Sequence, residues 1–119
     1  TLVAASKLSI KYGSTPELRQ DMTPTAGYIA AVLTDRKVTG ALDPETLIAR
    51  DDFAAWLAGG TAALSFAIGT GGTGFILAAP AIQYQKIAEA NRNGLFTNAI
   101  DFLAVQNDST VDSEITITF

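Results

Sequence analysis

Cysteine and histidine are both missing from this chain of 119 residues. Their absence excludes a thiol nucleophile, a Ser-His-Asp triad, an imidazole general base and thiolate or imidazole metal ligation. No disulfide can staple the fold, so it must stand on packing. Charge is sparse too: 17% of residues are charged against 48% hydrophobic, the balance of a folded domain. The net charge is −4, and the basic residues are scattered singly except for Arg36-Lys37. That distribution offers no footprint for gripping phosphates.

Between residues 53 and 85 there is no charged side chain at all. A membrane-spanning helix would need about 20 uninterrupted apolar residues. Gly59-Gly60 and the run from Gly69 to Gly74 cut this stretch into shorter pieces, so no membrane span is expected. The amino end shows neither the basic nor the apolar zone of a secretory signal. It opens without methionine on the strand-like run from Leu2 to Leu8, as expected of a piece cut from a longer protein. The length suits one domain over residues 1 to 119, with one core. A domain this small exposes much of its surface, so part of the neutral stretch must face solvent or a partner, and a partner is the favoured reading. The plainer alternative is a β-sandwich interior with small neutral residues outward.

What the sequence does contain is period-two alternation, the mark of strands buried on one face. It appears in Lys7 to Tyr12, in Ala63 to Ile68, and in Glu114 to Phe119, where Ile115, Ile117 and Phe119 share one side. Tyr28 to Leu42 is a longer extended candidate, with a bend or bulge expected near Gly40 and an interruption at Asp43-Pro44. One short helix is expected from Asp52 to Ala58, capped by Asp51 or Asp52 and stopped by Gly59-Gly60. Phe53, Trp56 and Leu57 fall on one helical face and are read as core packing. Beyond residue 60 four strands separated by turns are expected, with Asn93-Gly94 as a tight hairpin turn and Asn107-Asp108-Ser109 as a second turn. The class is mainly β, antiparallel, with one helix.

Gly69, Gly71 and Gly74 meet the dinucleotide spacing G-x-G-x-x-G, but the residues that follow, Phe75 to Pro80, read as a strand where a nucleotide site needs a helix. A mobile hairpin tip is the simpler account. The carboxylates Asp51-Asp52 and Asp108, Asp112 and Glu114 sit among cap and turn residues, where solvation would keep them from acid-base work. Asn107-Asp108-Ser109 also spells a glycosylation acceptor, a pattern short enough to arise by chance. No catalytic, metal-binding or cofactor-binding residue is expected, and the chain is read as not an enzyme.

Several stretches in order carry a resemblance. These are Gly40 to Glu45, Asp52 to Gly60, Gly74 to Pro80, Ile82-Gln83-Tyr84, Asn91 to Gly94 and Asp112 to Phe119. Over roughly residues 28 to 119 the chain resembles the carboxyl-terminal half of tail tube proteins (major tail proteins) of long-tailed bacteriophages and prophages. The resemblance implies a two-sheet antiparallel β-sandwich or flattened barrel flanked by one short α-helix, as in the type VI secretion tube protein. It implies a structural virion subunit: six tube domains form a homo-oligomeric ring, and rings stack into a channel through which DNA passes without specific binding. Tape measure and tail terminator proteins would be further partners. The location implied is the virion tail, after expression in the bacterial host cytoplasm. Within that reading Gly69, Thr70, Gly71, Gly72, Thr73, Gly74 and Phe75 are expected as interface or loop contacts. Asp101, which interrupts the strand between Ile100 and Phe102, is the candidate lumen charge on an acidic wall. Two rival readings compete: a β-sandwich binding or decoration module recognising carbohydrate or protein, and a carboxylate-dependent hydrolase using Asp51, Asp52, Asp108 or Asp112. The first would want an exposed aromatic cluster, and Tyr12, Tyr28 and Tyr84 are widely spread.

Overall fold

A computed structural model describes residues 4–69, 73–107 and 112–119. The chain is mainly β. Strands β1 (Ala5–Gln20) and β2 (Tyr28–Pro44) form a long hairpin; helix α1 (Asp52–Ala58) follows, then β3 (Thr61–Ile68), β4 (Phe75–Arg92), β5 (Leu95–Ala104) and the short β6 (Thr116–Thr118). All strand pairs are antiparallel and belong to one sheet in the order β1-β2-β5-β4-β3, with β6 on β4. The path is a Greek key: β3, β4 and β5 meander, and β2 reaches β5 only through the crossover that carries α1.

Alternation decides which face is covered. In β5, Asn98, Ile100, Phe102 and Ala104 are buried while Ala99 and Asp101 are exposed. Cross-strand register extends this inner face through Val38, Gly40 and Leu42 of β2, Leu8 and Ile10 of β1, and Ile82 and Tyr84 of β4. Val38, Ala79, Ile82, Phe102 and Ala104 form the core cluster, with Leu8, Ile10, Leu42, Leu64, Tyr84 and Ile115 packed on it. The sheet curls about this face into a half-barrel. Its open side is a groove of about 470 Å³ lined by Ser6, Lys7, Leu8 and Ile10 from β1 and by Phe66, Ile68, Phe75 and Leu77 from β3 and β4.

The prolines and bulges follow one logic. Pro80 lacks an N–H to give a ladder, and it sits where β4 carries an extra residue against β3 and where the opposite edge passes from β6 to β5. Pro16 stands next to a second register shift, on an edge strand where a missing donor costs least. The expected bulge at Gly40 does not occur. Gly40 keeps regular register, and glycine is needed there because a side chain would meet the Phe102 ring at 2.4 Å and the Ser9 carbonyl oxygen at 2.6 Å. Asp43-Pro44 does not interrupt β2 either; the strand runs through to Pro44, whose ring is fully buried.

Local signals act where expected. Asp51 accepts a hydrogen bond from the Ala54 N–H at 2.9 Å, and Gly59 ends α1 in the left-handed region. Asn93 and Gly94 both have positive φ, as a two-residue type I′ hairpin requires. Asn91 Oδ1 adds a bond from the Gly94 N–H. The helix corrects one expectation. Phe53, Trp56 and Leu57 are 37%, 36% and 82% exposed, and the residue α1 buries is Asp52.

Candidate functional site

Three features of the fold leave it open to other molecules. The first is the β1–β2 hairpin. β2 pairs with β5 only over Val38–Leu42, so the residues on the turn side of Arg36 have no sheet beside or beneath them. In that part Leu18, Met22, Tyr28, Ile29, Val32 and Leu33 are all exposed. Tyr28 to Leu33 is apolar at every position, the pattern of a strand covered on both faces, yet here neither face is covered. The hairpin gives the molecule a radius of gyration of 18.6 Å and a long axis of 63 Å. A compact domain of this length would have a radius of about 13.5 Å.

The second feature is a pair of free edges. Among the described residues β1 is paired only with β2 and β3 only with β4, so the sheet ends in unpaired backbone on both sides. β3 is exposed along nearly all its length. With α1 it makes up the first half of the charge-free stretch, which lies almost wholly on the surface of the single chain.

The third is the end of the molecule opposite the hairpin turn. There Arg50, in the loop before α1, donates from Nε to Asp52 at 2.8 Å and from Nη2 to the Glu45 carbonyl oxygen. Asn98 donates to the same Asp52 carboxylate at 2.9 Å. Asp52, expected to be solvated, is 3% exposed, and its charge is compensated by these two partners. Thr46, Leu47, Ile48, Phe53 and Phe96 complete a depression of about 360 Å³ over this network. Tyr84 lies within its field: burial first, then the Asp52 charge, push the phenol up from its ordinary value, while Arg50 pulls it down.

Two further arginine clusters tie the sheet together. Arg92 on β4 bridges Asp43 at 3.1 Å and Glu45 at 2.6 Å. Desolvation raises the Asp43 carboxyl, but bonds from Ser6, Lys7 and Arg92 prevail and bring it down to about 2. Arg36 on β2 holds Asp112 and, by a two-toothed contact at 2.7 and 2.9 Å, Glu114. The Arg36 guanidinium keeps the Glu114 carboxyl below its ordinary value. The first ties β4 to the end of β2 and the residue after it, the second ties β2 to the segment before β6, and sequence reading missed them because their partners lie 47 to 78 positions apart. Asp51 is the helix cap, Asp52 is held by Arg50 and Asn98, and Asp112 and Glu114 are held by Arg36; Asp108 lies outside the described residues.

The expected contact loop is reached only in part. Thr70, Gly71 and Gly72 lie outside the described residues. Gly69 and Gly74 close the β3–β4 hairpin at a separation that admits no side chain: a Cβ on Gly74 would lie 2.1 Å from the Ile68 carbonyl oxygen. Thr73 is exposed beside them, and Phe75 opens β4 with its ring 6.4 Å from that of Phe119. Asp101 stands exposed on the outer face of the sheet, opposite Ala41 and Lys86. It shares a shallow depression with Lys11 and Lys37. Three lysines, Lys11, Lys37 and Lys86, thus stand around the single carboxylate of Asp101, so this patch is basic on balance where an acidic wall was expected.

Among the described residues no group of three or more metal-ligating side chains converges, and no helix is long and apolar enough to cross a membrane. No protein-family model and no curated protein sequence matches the chain.

Proposed function

We propose that this chain is a structural subunit that works by associating with copies of itself and carries out no chemistry. The observation that carries the reading is the bare hairpin. Its six large apolar side chains expose on the order of 700 Å², close to the ~800 Å² each partner gives to a standard interface. Covering that area is worth roughly 18 kcal/mol gross at about 25 cal/mol per Å², which offsets an association cost of about 4–15 kcal/mol. A two-stranded ribbon alone is at best marginally stable in water, so the hairpin gains its order from whatever covers it. The free edges of β1 and β3 support the same reading, since in an assembly they become joining surfaces.

Within this reading the more specific proposal is a tail tube subunit of a bacteriophage or prophage. Half-barrels joined edge to edge around a ring of six would make a continuous wall, and the second layer implied by a sandwich or flattened barrel would be completed there. The ring would pass DNA along its lumen, and tape measure and terminator proteins would meet its ends.

Sedimentation velocity over a wide concentration range, with negative-stain micrographs of the same samples, tests both levels. Self-association with rings or tubes in the images is the expected result. A chain that stays monomeric at high concentration in every salt and pH condition overturns the structural-subunit reading. Defined oligomers that never form rings or tubes overturn the tail tube reading alone.

A further inference from the structure

Charge on this chain is sorted by face. Of its 8 lysines and arginines, Arg36, Arg50 and Arg92 are engaged in bridges to carboxylates within the chain. Of the cations left, Lys11, Lys37 and Lys86 stand on the outer face of the sheet, on β1, β2 and β4, around Asp101 of β5. All are exposed, and none closes an ion pair with any described residue, although Lys86 and Asp101 lie opposite each other across the strands. These strands are neighbours in the sheet, so at about 4.8 Å per strand the group spans ~14 Å. Between the charges lie small or neutral side chains, Ser9, Thr39, Ala41 and Gln85. Three positive charges against one negative make this face cationic on a chain whose total is −4.

We infer that this face docks an acidic segment of a partner protein, its carboxylates meeting Lys11, Lys37 and Lys86 and one of its cations meeting Asp101. The face is distinct from the apolar surfaces that self-association would cover, so the inference goes beyond that reading and does not rest on it. Three observations favour protein over nucleic acid. The arginines, whose forked guanidinium suits phosphate, are withdrawn into internal bridges or, in the case of Arg19, stand on the hairpin. Asp101, at the centre of the lysines, would meet a phosphate backbone that offers it no donor, whereas a protein segment can bring it a lysine, an arginine or an N–H. Phe102, the aromatic residue lining the patch, is 1% exposed, so bases find no ring to stack on. A single exposed ion pair contributes little, so recognition rests on the lysines acting together.

Fluorescence anisotropy of a short labelled peptide of glutamate and alanine with one central arginine, titrated with the full chain at low salt, tests this. A peptide with glutamine for glutamate, one without the arginine, and a short labelled DNA duplex serve as comparisons. Wild type is expected to hold the acidic peptide more tightly than the glutamine peptide and to lose it as salt rises. Lys11→Gln, Lys37→Gln and Lys86→Gln, all at exposed positions, should each weaken it about two- to fivefold, and the triple variant more than any single one. Asp101→Asn should weaken binding of the arginine-bearing peptide and strengthen that of the arginine-free one. Acidic and glutamine peptides bound alike overturn the inference. So does a triple variant that melts like wild type and still binds like wild type. Duplex DNA bound in preference, and bound more tightly by Asp101→Asn, makes the face a nucleic-acid surface and overturns it as well. Sedimentation of wild type is read separately from all of these, so the self-association reading stands or falls on its own.

Discussion

Gly40 shows how a single missing side chain permits the core. Phe102 is the largest fully buried side chain, and its ring lies over Gly40 on the neighbouring strand. Gly40→Ala would force the ring aside or strain the backbone at Ser9, and overpacking of this kind costs about 1–3 kcal/mol. A thermal melt should show the loss, and an unchanged melting temperature would mean the ring has room to move. At Asp43 the lever is pH. The folded carboxyl titrates near 2 against an ordinary 3.8, so its bonds stabilise the fold above the ordinary value and that stability is lost as pH falls toward 2. Asp43→Asn should lower stability at neutral pH and flatten the acid limb between those values, as urea titrations at a series of pH values would reveal. Roles like these were only partly legible beforehand. The Asp51 cap, the Gly59 stop and the Asn93-Gly94 turn depend on a few adjacent residues and could be read directly. Gly40 could be marked as unusual, but its reason sits on a strand some sixty positions away, so a bulge was the wrong guess.

Among the elements, α1 and the hairpin mark where pattern reading meets its limit. Helical spacing placed Phe53, Trp56 and Leu57 on one face, and apolar residues sharing a face ordinarily mean core. In the single chain Leu57 stands open and Phe53 and Trp56 keep over a third of their surface exposed, while the side chain α1 buries fully is a carboxylate held by Arg50 and Asn98. Periodicity reports that a face will be covered without saying by which molecule. The extent of β1 was likewise hidden, because the stretch from Gly13 to Gln20 has no regular alternation and becomes a strand only by pairing with β2. At the hairpin's base Arg36 anchors the segment leading to β6. Arg36→Ala should free that segment, unpair β6 and uncover Ile115, seen as faster proteolysis near the carboxyl end. Arg36→Lys should restore only part of the protection, since an ammonium cannot fork across two carboxylates. Equal proteolysis of wild type and Arg36→Ala would show that β6 holds by its ladder alone.

For the whole molecule, the small core and the long unsupported hairpin imply stability that depends on concentration. The buried hydrophobic set is short, and many large apolar side chains remain exposed, including most of those in the hairpin. Binding that covers only the folded form stabilises it by mass action, so a self-associating chain should gain stability as it is concentrated. Hydrogen exchange can locate where the gain falls. At low concentration the amides of residues 14–20 and 28–36 should exchange quickly, because their ladder is flanked by water on every side. At high concentration those amides should slow by an order of magnitude or more, while Val38–Leu42 and Ile100–Ala104, already inside the sheet, should change little. Protection that rises uniformly over all strands would indicate general stabilisation without a hairpin contact. Protection that rises nowhere would mean the hairpin is stable bare, and the physical reason for expecting neighbours would be gone.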